Sequence, residues 1–245
     1  MVDEYYMFLH RDMPRQGPGS SLSTSIAAGL LPDRNYLSIL DIGCGPGMQT
    51  IDLASLYPDS KINGLDYYSV FLDQLARSCN EKDIRNITAT KGSMIELPFN
   101  PDSFDLVWSE AAIYIMGFEE GLKEWRRFLQ QDGCLAVSEL SWLLGRKPAK
   151  IESYWEDNYP DMNEIPANLS LIEKAGYRIK GVYVLPVKDW NTHYYDPLMN
   201  NMKKEEGKSL TEDQKDCLAL EFLEIKMLRE YSDYYSYVFY VMQKA

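Results

Sequence analysis

Histidine is nearly missing from this chain: His10 and His193 are its only two in 245 residues. Cysteine is also sparse. Cys44, Cys79, Cys134 and Cys217 stand far apart, with no CxxC or CxH spacing, which argues against a zinc site or a disulfide framework. No metal is expected, and a reducing compartment is. No apolar run approaches the roughly 18–20 residues that a membrane span needs. The opening stretch MVDEYYMFLHRDMPRQ has no apolar core of signal-peptide type. The expectation is a cytoplasmic protein without a membrane partner. Positive charge is scarce as well: 25 Lys and Arg face 37 Asp and Glu, for a net charge of −12. A phosphate backbone demands basic faces, so nucleic acid is not an expected partner.

What is present is a rhythm. Short apolar runs at 37–42, 61–66, 86–91, 104–109 and 134–139 read as strands, and windows at 48–57, 69–81 and 119–129 read as helices. Such alternation implies right-handed βαβ units, hence an α/β fold with a doubly wound, mostly parallel sheet. Past residue 140 the rhythm changes. A helix over 167–175 ends at Gly176, and a strand follows over 177–187. A helix from Thr211 to Glu230 opens on a capping box, Thr211 with Gln214. The aromatic, β-branched run 234–242 closes the chain as a last strand. One domain over 1–245 is expected, with an N-terminal helical cap (1–35), a ligand-binding core (36–140) and a helical insertion, or lid (188–232).

The densest signal is LDIGCGPGMQT, residues 40–50. Gly43, Gly45 and Gly47 follow a strand directly, where an α/β sheet binds its ligands, and glycine there bares the backbone. No lysine follows, as a P-loop requires, and Met48 stands where a dinucleotide loop carries its third glycine. Asp41, just before the turn, suits a cationic ligand better than a pyrophosphate. At the end of the second strand, Asp66 can accept both hydroxyls of a ribose or cap the next helix. Tyr67 can lie along an adenine face or simply pack.

LDIGCGPG, LDYY, GSMIELPFNPDSFDLVWSEAAIYIM and FLQQDGCLAVSE together resemble the class I S-adenosylmethionine-dependent methyltransferases, over residues 36–140. The nearest likeness is to the small-molecule branch related to ubiquinone-biosynthesis methyltransferases. The resemblance implies a Rossmann-like sheet with an antiparallel last strand, S-adenosylmethionine as cofactor and S-adenosylhomocysteine as product. It implies that Asp41 and the Gly43–Cys44–Gly45–Gly47 loop flank the methionine half and that Asp66 holds the ribose. Tyr67 would cover the adenine face, Ser93 and Met94 would meet the adenine edge, and Glu110 would border the methyl-transfer site. Two positions depart from the family's common pattern: Ser93 replaces an acidic residue, and the place of Glu110 is usually uncharged.

Methyl transfer from a sulfonium is an in-line displacement that rests on alignment and exclusion of water, with a general base needed only for some acceptors. His10, His193 and Glu110 are the candidates for that base. The segment DWNTHYYDPL offers Trp190, Tyr194 and Tyr195 as pocket rings or as the insertion's own core. RQGPGS offers Arg15 and Gln16 to the cofactor carboxylate or the acceptor, ahead of a helix capped by Ser20 or Ser21. Tyr114, in SEAAIY, and the aromatics of YWEDNYPDM (154–162) are further wall candidates. SEAAIY lacks the proline pair of enzymes that methylate exocyclic amines of bases, so a small-molecule acceptor is expected. A non-catalytic cofactor-binding module and a nicotinamide-dependent oxidoreductase remain the alternatives. Acceptor identity and oligomeric state stay open.

Overall fold

The computed structural model describes residues 2–245. Seven strands form one sheet: β1 (Ser38–Ile42), β2 (Lys61–Asp66), β3 (Ile87–Lys91), β4 (Phe104–Glu110), β5 (Leu129–Trp142), β6 (Tyr177–Val184) and β7 (Tyr235–Lys244). Their order is β3-β2-β1-β4-β5-β7-β6. β7 pairs antiparallel with both β5 and β6, so it alone runs against the rest. β4, in mid-sheet, is buried at every position, as a parallel strand covered on both faces must be.

The helices are α1 (Val2–Leu9), α2 (Ser21–Ala28), α3 (Met48–Leu56), α4 (Ser69–Glu81), α5 (Phe118–Trp125), α6 (Ala149–Asn158), α7 (Ile165–Lys174), α8 (Val187–Trp190), α9 (Asp196–Lys203) and α10 (Glu212–Tyr231). Strand side chains alternate between two cores. Leu40, Ile42, Val107 and Val137 pack with Leu122 and Trp125 of α5 and Ile172 of α7. Ile39, Leu106, Trp108 and Ala136 pack with Ala27 of α2 and Leu53 of α3. A third core joins the chain's distant ends: Leu9 and Met13 lie with Trp155, Trp190, Tyr195 and Tyr235. Asn201 of α9 ties the same region down by donating to the carbonyls of Leu9 (2.8 Å) and Arg11 (2.9 Å). Among the described residues, no helix is long and apolar enough to cross a membrane.

The expected capping box of α10 is present, with Thr211 Oγ1 accepting from the Gln214 amide and the Gln214 side chain answering. Ser20, rather than Ser21, caps α2 through the Ser23 amide (3.2 Å). Several boundaries differ from the sequence reading. The helix expected over 119–129 stops at Trp125, a 3-10 turn follows, and β5 begins at Leu129 because that residue pairs with Phe104. The strand expected to reach 187 ends at Val184, two residues before Pro186, which has no amide to donate. α6 occupies the stretch after β5 that was read only as an aromatic connection.

Candidate functional site

The carboxyl ends of β1, β2 and β4 open onto a cavity of about 510 Å³. Its floor is the glycine loop. The amides of Gly43 and Cys44 both donate to the Leu65 carbonyl, at 2.8 and 3.0 Å, which fastens the loop to β2. Gly47 takes a left-handed backbone (φ +92°), and a Cβ there would stand 2.3 Å from Leu75 of α4. Only glycine allows that turn and that approach together.

Asp66 is buried and braces the loop: Oδ2 accepts from the Gly45 amide and Oδ1 from the Tyr68 amide, both at 2.9 Å. Burial raises its pKa while these amides pull it down. Each oxygen keeps a further lone pair for a hydroxyl donor. Tyr67 lines the cavity from the rim with its ring exposed, and Ser93 and Met94 line it after β3. Asp41 and Gly47 do not line it. Asp41 lies fully buried behind the loop, where Thr50 Oγ1 donates to Oδ2 (2.6 Å) and Oδ1 has no partner. Burial pushes its pKa up to about 7.

Glu110, at the end of β4, also lines the cavity, but its carboxylate is already engaged. Oε1 accepts from Thr24 Oγ1 (2.8 Å) and Trp108 Nε1 (2.9 Å), and Oε2 is paired with Arg15 Nη2. A carboxylate held by a cation and two other donors serves here as an anchor. Arg15 is only 3% exposed, and its Nε and Nη1 are buried without partners. The N-terminal segment thus brings a guanidinium to the cavity wall.

A second cavity, of about 240 Å³, adjoins the first. Tyr6, Gln16, Gly17, Ala111 and Tyr114 line both. The rest of the wall includes Tyr154 and Trp155 of α6, Tyr159 just after it, Trp190 and Tyr194 of the insertion, Glu224 of α10 and Tyr237 of β7. Tyr195 lies just behind and donates to Glu224 Oε1 (2.8 Å), and burial raises the Glu224 pKa. Tyr159 donates to Glu139 Oε1 (2.6 Å), whose carboxyl burial pushes up to about 8.

His10 lines neither cavity. It is fully buried beside Tyr6 and Tyr194, its Nδ1 2.9 Å from the Tyr6 carbonyl, and burial lowers its pKa to about 4. His193 also lines neither: it is half-buried in a π-type turn, Asn191–Tyr195, that sends its neighbours Tyr194 and Tyr195 inward. The structure therefore unites Arg15, Gln16, Tyr114, Trp190 and Tyr194 around the joined cavities and leaves His193 outside them. Tyr6, Glu224 and Tyr237 were not foreseen. Tyr237 had a signal in the period-2 pattern of β7; Glu224 lies on a helix of mixed polarity, where no spacing marks it.

The family described as "Methyltransferase domain" matches residues 39–133. A trans-aconitate 2-methyltransferase of Deinococcus radiodurans is 32% identical over 111 residues, 45% of this chain and 37% of that protein. The chain thus matches little more than a third of that relative's length. An Escherichia coli trans-aconitate 2-methyltransferase is 27% identical over 202 residues, 77% of this chain and 70% of the relative. The crystal structure of a SAM-dependent methyltransferase from Geobacter sulfurreducens, in complex with S-adenosyl-L-homocysteine, superposes with a TM-score of 0.82 at 16% identity. That match covers 99% of this chain and 98% of the other.

Proposed function

Because the chain carries a methyltransferase domain of the class I, S-adenosylmethionine-dependent kind, we propose that it transfers a methyl group from S-adenosylmethionine to a small-molecule acceptor. One observation carries this reading: the cavity over the glycine loop shares a wall with a separate aromatic cavity, so donor and acceptor have adjoining compartments. The residues present fit the cofactor. Arg15 puts a guanidinium on the wall toward its carboxylate, Asp66 offers free lone pairs to its ribose, and Tyr67 offers an exposed ring to its adenine. Ser93 and Met94 would border the adenine edge, and Gly43–Gly45 would leave bare backbone beside the methionine half.

When bound, the cofactor supplies an electrophilic methyl on a sulfonium. The protein's part is to align and to dry. Glu110 fixes Arg15 so that the guanidinium arrives with a set orientation. Gln16 and Tyr114, on the wall common to both cavities, border the path between donor and acceptor. The aromatic walls exclude water from the displacement. Support for a cytoplasmic setting comes from the four cysteines, which are all buried and free.

Calorimetric titration with S-adenosylhomocysteine and with NAD tests the assignment. Binding of the sulfur compound and none of NAD is expected; the reverse would remove the methyltransferase reading.

A further inference from the structure

The aromatic cavity has a charge character of its own. Its lining residues include no lysine, arginine or histidine. Rings and hydroxyls make up most of the wall, and the one charged residue on it is Glu224. Tyr195 occupies Oε1 of that carboxylate, and among the described residues Oε2 takes no protein hydrogen bond. The carboxyl of Glu139 stands behind Tyr159. His10 lies behind Tyr6 and Tyr194, where burial lowers its pKa to about 4. The rings brace one another: Tyr114 meets Tyr159 edge-on at 6.0 Å between centroids, and Trp190 lies 5.2 Å from Tyr237.

Aromatic faces carry negative potential and attract cations, more strongly when water is excluded. A carboxylate acceptor would meet neutral donors there but no cationic side chain to balance its charge. The positive group nearest to it, Arg15, lines the first cavity alone and is paired with Glu110.

Resting on the methyltransferase reading above, we propose that the acceptor is a small amine, received as its ammonium ion by the aromatic walls and Glu224. The chemistry balances. The ammonium gives a proton to the Glu224 carboxylate, leaving a neutral amine. The amine lone pair then forms the C–N bond as the C–S bond breaks, with that bonding pair staying on sulfur. Positive charge passes from sulfonium to methylammonium, and the Glu224 proton leaves to solvent with the product. A desolvated carboxyl, whose pKa burial raises, is a fitting proton acceptor for an amine. The same chamber holds the methylammonium product, since methylation of nitrogen keeps or adds positive charge.

The test is binding to the whole protein in the presence of saturating S-adenosylhomocysteine. Choline, its uncharged isostere 3,3-dimethylbutan-1-ol, and trans-aconitate serve as probes, read by tryptophan fluorescence and calorimetry. Choline is expected to bind about tenfold tighter than the alcohol or better, with trans-aconitate weakest. Glu224→Gln should cut choline affinity by about tenfold while leaving that of the alcohol unchanged. Equal binding of choline and alcohol, tighter binding of trans-aconitate, or no binding of choline overturns the amine assignment. S-adenosylhomocysteine affinity is measured first and separately. If it is absent, the methyltransferase reading fails; if it is present, the probe ranking judges the acceptor class alone. Intact S-adenosylhomocysteine affinity in the variant shows that it has folded, and the wild-type ranking stands without it.

Discussion

The two cavities are built on different principles. The first is made mostly of backbone and of residues placed by strand ends: Gly43 to Gly45 after β1, Asp66 closing β2, Ser93 after β3, Glu110 closing β4. Its ligand contacts follow from sheet topology, which sets every βα turn on one edge. The second is made of side chains from elements far apart in sequence, with Tyr6, Tyr159, Trp190, Glu224 and Tyr237 meeting on one wall. It has no topological necessity. What gives it shape is the packing of the third core, in which the first helix and the late insertion bury one another. A fold of this kind can keep its donor site while the acceptor site is rebuilt by changing loops and helices at its margin.

That contrast can be tested first on the wall of the first cavity, where Arg15 pairs with Glu110. Arg15→Ala leaves Glu110 buried and unpaired, and should cost about 3–5 kcal/mol of stability in urea unfolding. The double variant Arg15→Ala, Glu110→Gln should recover most of that loss, since no buried charge is then stranded. Full stability of the single variant would mean that the pair is not buried in solution.

A smaller effect separates the regions by ligand. Asp66→Ala should weaken S-adenosylhomocysteine binding by about 1–3 kcal/mol, through loss of a charge-assisted ribose contact and of the Gly45 brace. Choline binding measured without S-adenosylhomocysteine should be unaffected by the same change. Parallel loss of both would show that the cavities are not separable.

A third test lies in pH dependence. Asp41 beneath the first cavity and Glu139 behind the second both have carboxyls raised by burial, from 3.8 to about 7 and from 4.5 to about 8. Each is protonated more readily folded than unfolded. Its contribution to stability is therefore full below the unfolded pKa and is lost as pH rises through the folded one. Between about pH 4 and 7, Asp41→Asn should flatten the decline in urea midpoint; Glu139→Gln should do so up to about pH 8. An unchanged slope in either variant would show that the carboxyl is hydrated.

The donor half was legible because its signals are local. A glycine triplet after an apolar run and an aspartate closing the next strand each require only their own neighbours to be read. Asp41 shows where local reading stops: its sequence position beside the loop is correct, yet its side chain faces Thr50 beneath the loop rather than the cavity. Glu110 was found by position, but its engagement by Arg15, Thr24 and Trp108 depends on the N-terminal segment folding across the sheet edge. Trp190 and Tyr194 were found as an aromatic cluster, while His193 between them was singled out for its chemistry and turned aside by the helical turn. Glu224 was not found, because one glutamate on an acidic helix looks like its solvated neighbours until the rings around it are in place.

The wall common to the two cavities has a consequence for energetics. Gln16 and Gly17 belong to both surfaces, and Gln16 is held at its back by the carbonyl of His10 at 3.0 Å. A ligand that settles this strip in one compartment has done part of the ordering for the other. Linkage makes that assistance reciprocal: whatever factor the first guest adds to the affinity of the second, the second returns to the first. Two reactants that never exchange a bond with the strip are thereby coupled through it.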